Sequence, residues 1–177
     1  MKRLLSLIAI CLSQSLIAQN EFSAKAFYSD FNKVCEEGKN GFIGLAGKEK
    51  NSQFPGLTRE FSVKMLLPLA DSGKLVFSEV SRPYVIFYFE PSKSRLKTDQ
   101  KGTDLREAIT IAMNRPVCSR TETVLVEDDP VSNTWFFDGN AELSKAEAIC
   151  LISVYRIKNL YYLTLQINGN RTKVTGH

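Results

Sequence analysis

Histidine is nearly missing from this chain: the single one, His177, is the last residue. Ser-His-Asp and Cys-His machinery needs an imidazole held in a packed site, and zinc hydrolases use two or three, so none of these classes has support. An enzyme built on this sequence would have to use a carboxylate pair, as glycosidases do, or a lysine base. No carboxylate pair stands out by its spacing. Cysteine is scarce as well. Cys11, Cys35, Cys118 and Cys150 form no C-x-x-C pair and have no neighbouring histidine, which leaves a zinc site or a thioredoxin-like centre without a basis. Nothing points to a metal or a cofactor.

The chain also lacks a long apolar run. Leu4 to Leu12 is about half of the 18 or more residues that a membrane span needs, and Ser13, Gln14 and Ser15 interrupt it. Charge of one sign is lacking too. The 23 basic and 19 acidic residues give +4, and Lys2 and Arg3 at the start reduce the remainder to about +2 when set aside. So balanced a chain has no concentrated basic face for a phosphate backbone, and nucleic acid is not an expected partner.

What is present begins with those first residues. Lys2 and Arg3, the apolar run and Ser15-Leu16-Ile17-Ala18 have the layout of a cleavable signal peptide at 1–18, with a cut before Gln19. Cys11 follows Ile10 inside the apolar run, which argues against a lipoprotein. The expectation is an exported chain, periplasmic or secreted, with one domain at 19–177 and no transmembrane anchor after processing. Hydrophobic residues at 44%, including 11 Phe and 6 Tyr, are enough for one core.

Ala24, Phe27, Tyr28, Phe31, Val34 and Cys35 recur at spacings of three and four, which predicts a helix over 21–37 with Gly38 as its stop. Phe42, Ile43 and Leu45 lie among Gly41, Gly44 and Gly47 as a turn or short strand with an apolar anchor. Phe42 and Glu49 stand where a phosphate-binding loop needs glycine and a hydroxyl, so that comparison fails. Strands are expected at Phe61–Leu67, Leu75–Val80 and Tyr84–Phe89, with a turn at Asp71-Ser72-Gly73. Pro91 to Gly102, with Lys93, Arg95, Lys97 and Lys101, reads as an exposed connection rather than a lipid-binding patch.

Asp104 and Glu107 resemble a capping pair ahead of a second helix, which packs Leu105, Ala108, Ile109, Ala112 and Met113 and ends before Pro116. Strands follow at Thr123–Val126, Trp135–Phe137, Ile149–Ile157 and Tyr161–Ile167, the last two joined by Lys158-Asn159. Ser144 and Glu147 match a capping box, but the β-branched and aromatic content of Ile149–Tyr155 favours a strand there. Glu127-Asp128-Asp129 lacks the spacing of a calcium loop and reads as a polar turn with Pro130, Ser132 and Asn133.

The expected fold is α+β, an antiparallel β-sheet with two α-helices on one face in the order α-βββ-α-βββ(β). The halves 19–90 and 103–168, joined by loop 91–102, then repeat in shape without residue identity. Such a repeat would place the helix ends on one side of the sheet. Cys35 and Cys118 are therefore the preferred disulfide pair, with Cys150 a free buried thiol, and three unbonded cysteines are the competing reading.

Trp135, Phe136 and Phe137 in succession put aromatic rings on both faces of one strand, so at least one ring points away from the core. With Tyr84 and Tyr88 they are the candidate contact residues, and Tyr161 and Tyr162 add to the supply. The expected function is a small exported binding module without catalytic machinery, its partner another protein, a surface polymer or a small apolar ligand. Its rivals are an envelope hydrolase using carboxylates and a carrier of a small apolar ligand.

Overall fold

The computed structural model describes residues 24–126, 129–139 and 147–170. The expected leader at 1–18 lies outside them, as do Glu127, Asp128, Ser144 and His177. Among the described residues, two helices and an eight-stranded antiparallel sheet make up an α+β fold in which sheet predominates.

Helix α1 (Ala24–Lys39) buries Phe27, Phe31 and Val34 completely, as their spacing requires. Its stop is Gly41 rather than Gly38. The Phe42 N–H donates to Glu37 O at 2.8 Å and the Gly41 N–H to Gly38 O at 3.1 Å, with Gly41 left-handed at φ 68°. This closes the last turn as a Schellman motif. A 3-10 turn (Ile43–Leu45) follows, and the chain enters four strands: β1 (Ala46–Lys50), β2 (Thr58–Val63), β3 (Ala70–Ser78) and β4 (Tyr84–Ser92).

Helix α2 (Arg95–Met113) comes next, capped by the Ser94 side chain, which accepts from the Lys97 N–H at 3.4 Å. The second group of strands is β5 (Val117–Val126), β6 (Asp129–Asp138), β7 (Cys150–Ile157) and β8 (Leu160–Asn168). The sheet order is β1-β2-β3-β4-β8-β7-β6-β5, so the two groups join through β4 and β8.

Several expectations are corrected. The order is α-ββββ-α-ββββ, because Ala46–Lys50 pairs with β2 as an additional strand. The segment 91–102 is not a loop: β4 runs to Ser92 and α2 begins at Arg95, which places Asp104 and Glu107 mid-helix. Asp71, Ser72 and Gly73 belong to β3. Gly73 is glycine for space, since a Cβ there would meet Val63 Cγ2 at 2.7 Å. Pro130, Ser132 and Asn133 lie in β6, paired with β5 over ten consecutive residues.

Alternation places the buried strand residues in transverse rows. One row runs Leu75, Val85, Ile167, Cys150, Phe136, and the next holds Phe87, Leu165 and Ile152. These pack with Phe27, Phe31 and Val34 of α1 and Leu105, Ala108 and Ile109 of α2 in one core. The helices contact each other, and both contact β8.

Candidate functional site

The residues between the core positions project to the other side of the strands. One row runs Lys74, Ile86, Gln166, Leu151, Trp135, Arg120, and the row beside it runs Ser72, Tyr88, Thr164, Ser153, Asn133, Glu122. Tyr84 flanks them on β4. The rings of Tyr155 and Tyr162 stack at 5.6 Å on β7 and β8. Tyr84, Tyr88, Tyr155, Tyr162 and Trp135 are all half-buried, and none belongs to the core cluster. Three strand spacings separate Tyr88 on β4 from Trp135 on β6, roughly 14 Å of sheet.

This face carries little net charge along its middle. Ser153 Oγ donates to Asn133 Oδ1 at 2.7 Å, and Gln166 Nε2 to Asn168 Oδ1 at 2.7 Å. The charges lie toward its margins as neutralised pairs: Lys74 Nζ sits 3.1 Å from the buried Glu60 carboxylate, and Arg120 lies 3.5 Å from Glu122. Burial pushes the Tyr88 phenol above its ordinary value, with Glu60 and Tyr84 adding to the effect. Burial does the same for Tyr155, helped by Tyr88 and Tyr162. Both phenols therefore keep their proton through neutral pH and can donate as well as accept.

Cavities lie elsewhere. One of about 400 Å³ at the end of α1 is lined in part by Cys35, Lys39, Arg82, Arg115 and Asn168. Its cations are matched by acids: Lys39 by Glu36, Arg82 by Glu147 and Arg115 by Asp138. Burial pushes the Cys35 thiol up to about 12, so it is protonated and a poor nucleophile at neutral pH. Another cavity, about 590 Å³, is bordered by Leu69, Asp71, Glu90, Lys101 and Asp104. Among the described residues no group of three His, Cys, Asp or Glu side chains is placed to hold a metal, and no helix is long and apolar enough to cross a membrane.

Of the expected contact residues, Tyr84, Tyr88 and Trp135 share the aromatic face. Phe137 lies on the same side, opposite Cys118 in the β5–β6 register. Phe136 does not join them: at 1% exposure it sits in the core opposite Cys150. Tyr161 also falls on the other side, beneath the Arg156 guanidinium at 5.8 Å, while Tyr162 reaches the aromatic face. Tyr155 joins that face as well, placed there by the alternation that buried Cys150, Ile152 and Val154 set.

The disulfide expectation is corrected as well, for Cys35, Cys118 and Cys150 are all unbonded. Cys118 shares a side with Phe137, opposite to Phe136 and Cys150. Cys35 packs against the core that contains Cys150, whose thiol pKa is raised by burial and further by the nearby Cys35. The sheet thus separates the two cysteines expected to pair. No known protein family, curated protein or solved structure matches the chain.

Proposed function

We propose that this chain is an exported binding domain, periplasmic or secreted, that takes an uncharged surface polymer on its aromatic sheet face. In this reading both helices cover the opposite face, the two helix-plus-strand halves form a repeat in shape, and residues 1–18 are removed on export. The observation that carries it is the placement of Tyr84, Tyr88, Tyr155, Tyr162 and Trp135 on one side of the strands, outside the core. Flat rings beside hydroxyl and amide groups suit a neutral, polyhydroxylated chain: the rings offer apolar contact and their neighbours hydrogen bonds. The paired margins give a charged ligand no net attraction.

The hydrolase alternative needs two carboxylates working together in one cleft. Glu60, the one buried acid among the described residues, is engaged by Lys74 and accepts from the Gln53 N–H at 3.3 Å, which leaves Asp71, Glu90 and Asp104 at the cavity of about 590 Å³ as the acids this alternative would use. The carrier alternative needs an enclosed apolar chamber. The cavities of about 400, 410 and 590 Å³ are instead bordered by charged side chains.

Trp135 is the only tryptophan, so its fluorescence reports on the face directly. Titration with soluble neutral polysaccharides is expected to shift its emission, and Tyr88→Ala is expected to weaken the response at least about tenfold. An emission unmoved by every neutral polysaccharide sinks the ligand assignment. Mass analysis of protein recovered outside the cytoplasm tests the export reading, which requires a first residue at or within two positions of Gln19.

A further inference from the structure

The two edges of the sheet differ. Strand β1 is five residues long, is interrupted by a register shift between Ala46 and Glu49, and presents Lys48, Glu49 and Lys50 to solvent. Shortness, irregularity and charge are the means by which edge strands avoid pairing. Strand β5, at the other edge, is neither short nor irregular, and its two charges, Arg120 and Glu122, are of opposite sign and so do not repel a second copy. It runs ten residues without a register shift or a proline, and among the described residues no strand pairs with its outer side. Near its end Leu125 is 73% exposed and Val126 53%. A long, regular, partly apolar edge is a ready template for another strand.

We infer that β5 pairs with β5 of a second copy of this chain, antiparallel about a two-fold axis at Thr121, to form one continuous sheet across the dimer. The charge pattern selects this register. A two-fold normal to the sheet keeps each face on its own side, so only residues of like parity can oppose one another. Centring on Thr121 sets Arg120 opposite Glu122 of the second copy and Glu122 opposite its Arg120. Moving the centre to Arg120 or to Glu122 stacks like charges on the axis, which is unfavourable between directly opposed residues.

The Thr121 register also places exposed Val124 and Leu125 opposite Cys118 and Val117 of the second copy, covering apolar side chains that water now meets. Both aromatic faces then lie on one side of the assembly, with each Trp135 beside Arg120 in the strand next to the seam. This pairing rests on the edge alone and is independent of what the aromatic face binds.

Charge exchange tests the register. Sedimentation of the full chain, with circular dichroism as a check on folding, is compared for wild type, Arg120→Glu, Glu122→Arg and the double exchange. Both side chains are substantially exposed, so the variants retain the fold. Wild type is expected to form a dimer at micromolar concentration. Each single variant opposes like charges at two places and is expected to associate at least about tenfold more weakly. The double exchange, and an equimolar mixture of the two single variants, restore complementary charges and the dimer. A monomeric wild type, single variants that still dimerise, or a mixture that stays monomeric overturns the inference.

Discussion

The ring of Phe42 occupies the space that a side chain on Gly169 would need: a Cβ built there lies 2.6 Å from Phe42 Cε2 and 2.9 Å from Gly38 O. Phe42 is fully buried and left-handed at φ 63°, a conformation uncommon for a residue with a bulky side chain. Around it the Asn170 N–H donates to Gly38 O at 2.8 Å, and the Gly169 N–H to Pro83 O at 2.8 Å. The end of α1, the start of β4 and the exit of β8 are thereby fastened at one place.

Gly169→Ala is expected to destabilise the fold by about 2 kcal/mol or more, because both obstructing groups are themselves fixed. In a Phe42→Ala background, which itself costs about 3–5 kcal/mol, the same change should cost clearly less. Denaturant melts of the four proteins in this cycle check the coupling.

Core and aromatic face should separate under substitution. Leu165→Ala removes a fully buried side chain and is expected to cost about 2–5 kcal/mol. Tyr88→Phe, on the opposite side of the sheet, should change stability by about 1 kcal/mol or less. Thermal melts distinguish them, and equal losses would contradict the assignment of faces.

The thiols give a pH-dependent expectation. Cys35 has an ordinary value of 9.0 and is pushed up to about 12 in the fold. The native state therefore holds its proton more tightly than the unfolded chain does. Stability is unaffected below about pH 9 and declines between 9 and 12, by an amount on the order of 4 kcal/mol if this thiol acts alone. Cys35→Val should lessen that decline in melts taken from pH 8 to 11, the remainder falling to Cys150, whose thiol burial raises as well. Under native conditions at pH 8, a thiol reagent should label Cys118 before Cys35 or Cys150. In denatured, unreduced protein all three should react.

The two ion pairs on β2 should differ in consequence. Arg59 and Glu49 meet in solvent; the Arg59 hydrogen bond lowers the Glu49 pKa, and Arg59→Gln should raise it in an NMR titration with little change in melting. Lys74 neutralises a buried acid, so Lys74→Met leaves the Glu60 carboxylate with a single backbone donor and is expected to cost about 2–3 kcal/mol. Adding Glu60→Gln should recover part of that loss.

Where burial imposes a period, the fold was legible in the sequence. Phe27, Phe31 and Val34 announced α1, and the alternation through Ile152, Val154, Leu163 and Leu165 announced the last hairpin. Where solvent meets the chain on most sides, no such period exists. Strand β1 reads Ala-Gly-Lys-Glu-Lys and is recognisable only by its pairing with β2. The first turns of α2 are polar, and their signal was the cap at Ser94 rather than an apolar stripe.

The same limit applied to the candidate site. Three aromatic residues in a row required rings on both sides of β6 but not which ring went where. The register of Phe136 with Cys150 decides that. Likewise, the cysteine pairing depended on which side of β5 Cys118 takes, a matter settled by its partner Phe137.

The seam between β4 and β8 has a consequence for the timing of assembly. Val85 meets Ile167 and Phe87 meets Leu165, so the middle of the sheet awaits residues of the second group of strands. Until they arrive, the first four strands expose an apolar edge and both helices lack a surface they share. Contacts so distant along the chain close slowly. A polypeptide of this design therefore closes its sheet from the middle, once both groups of strands are present to meet.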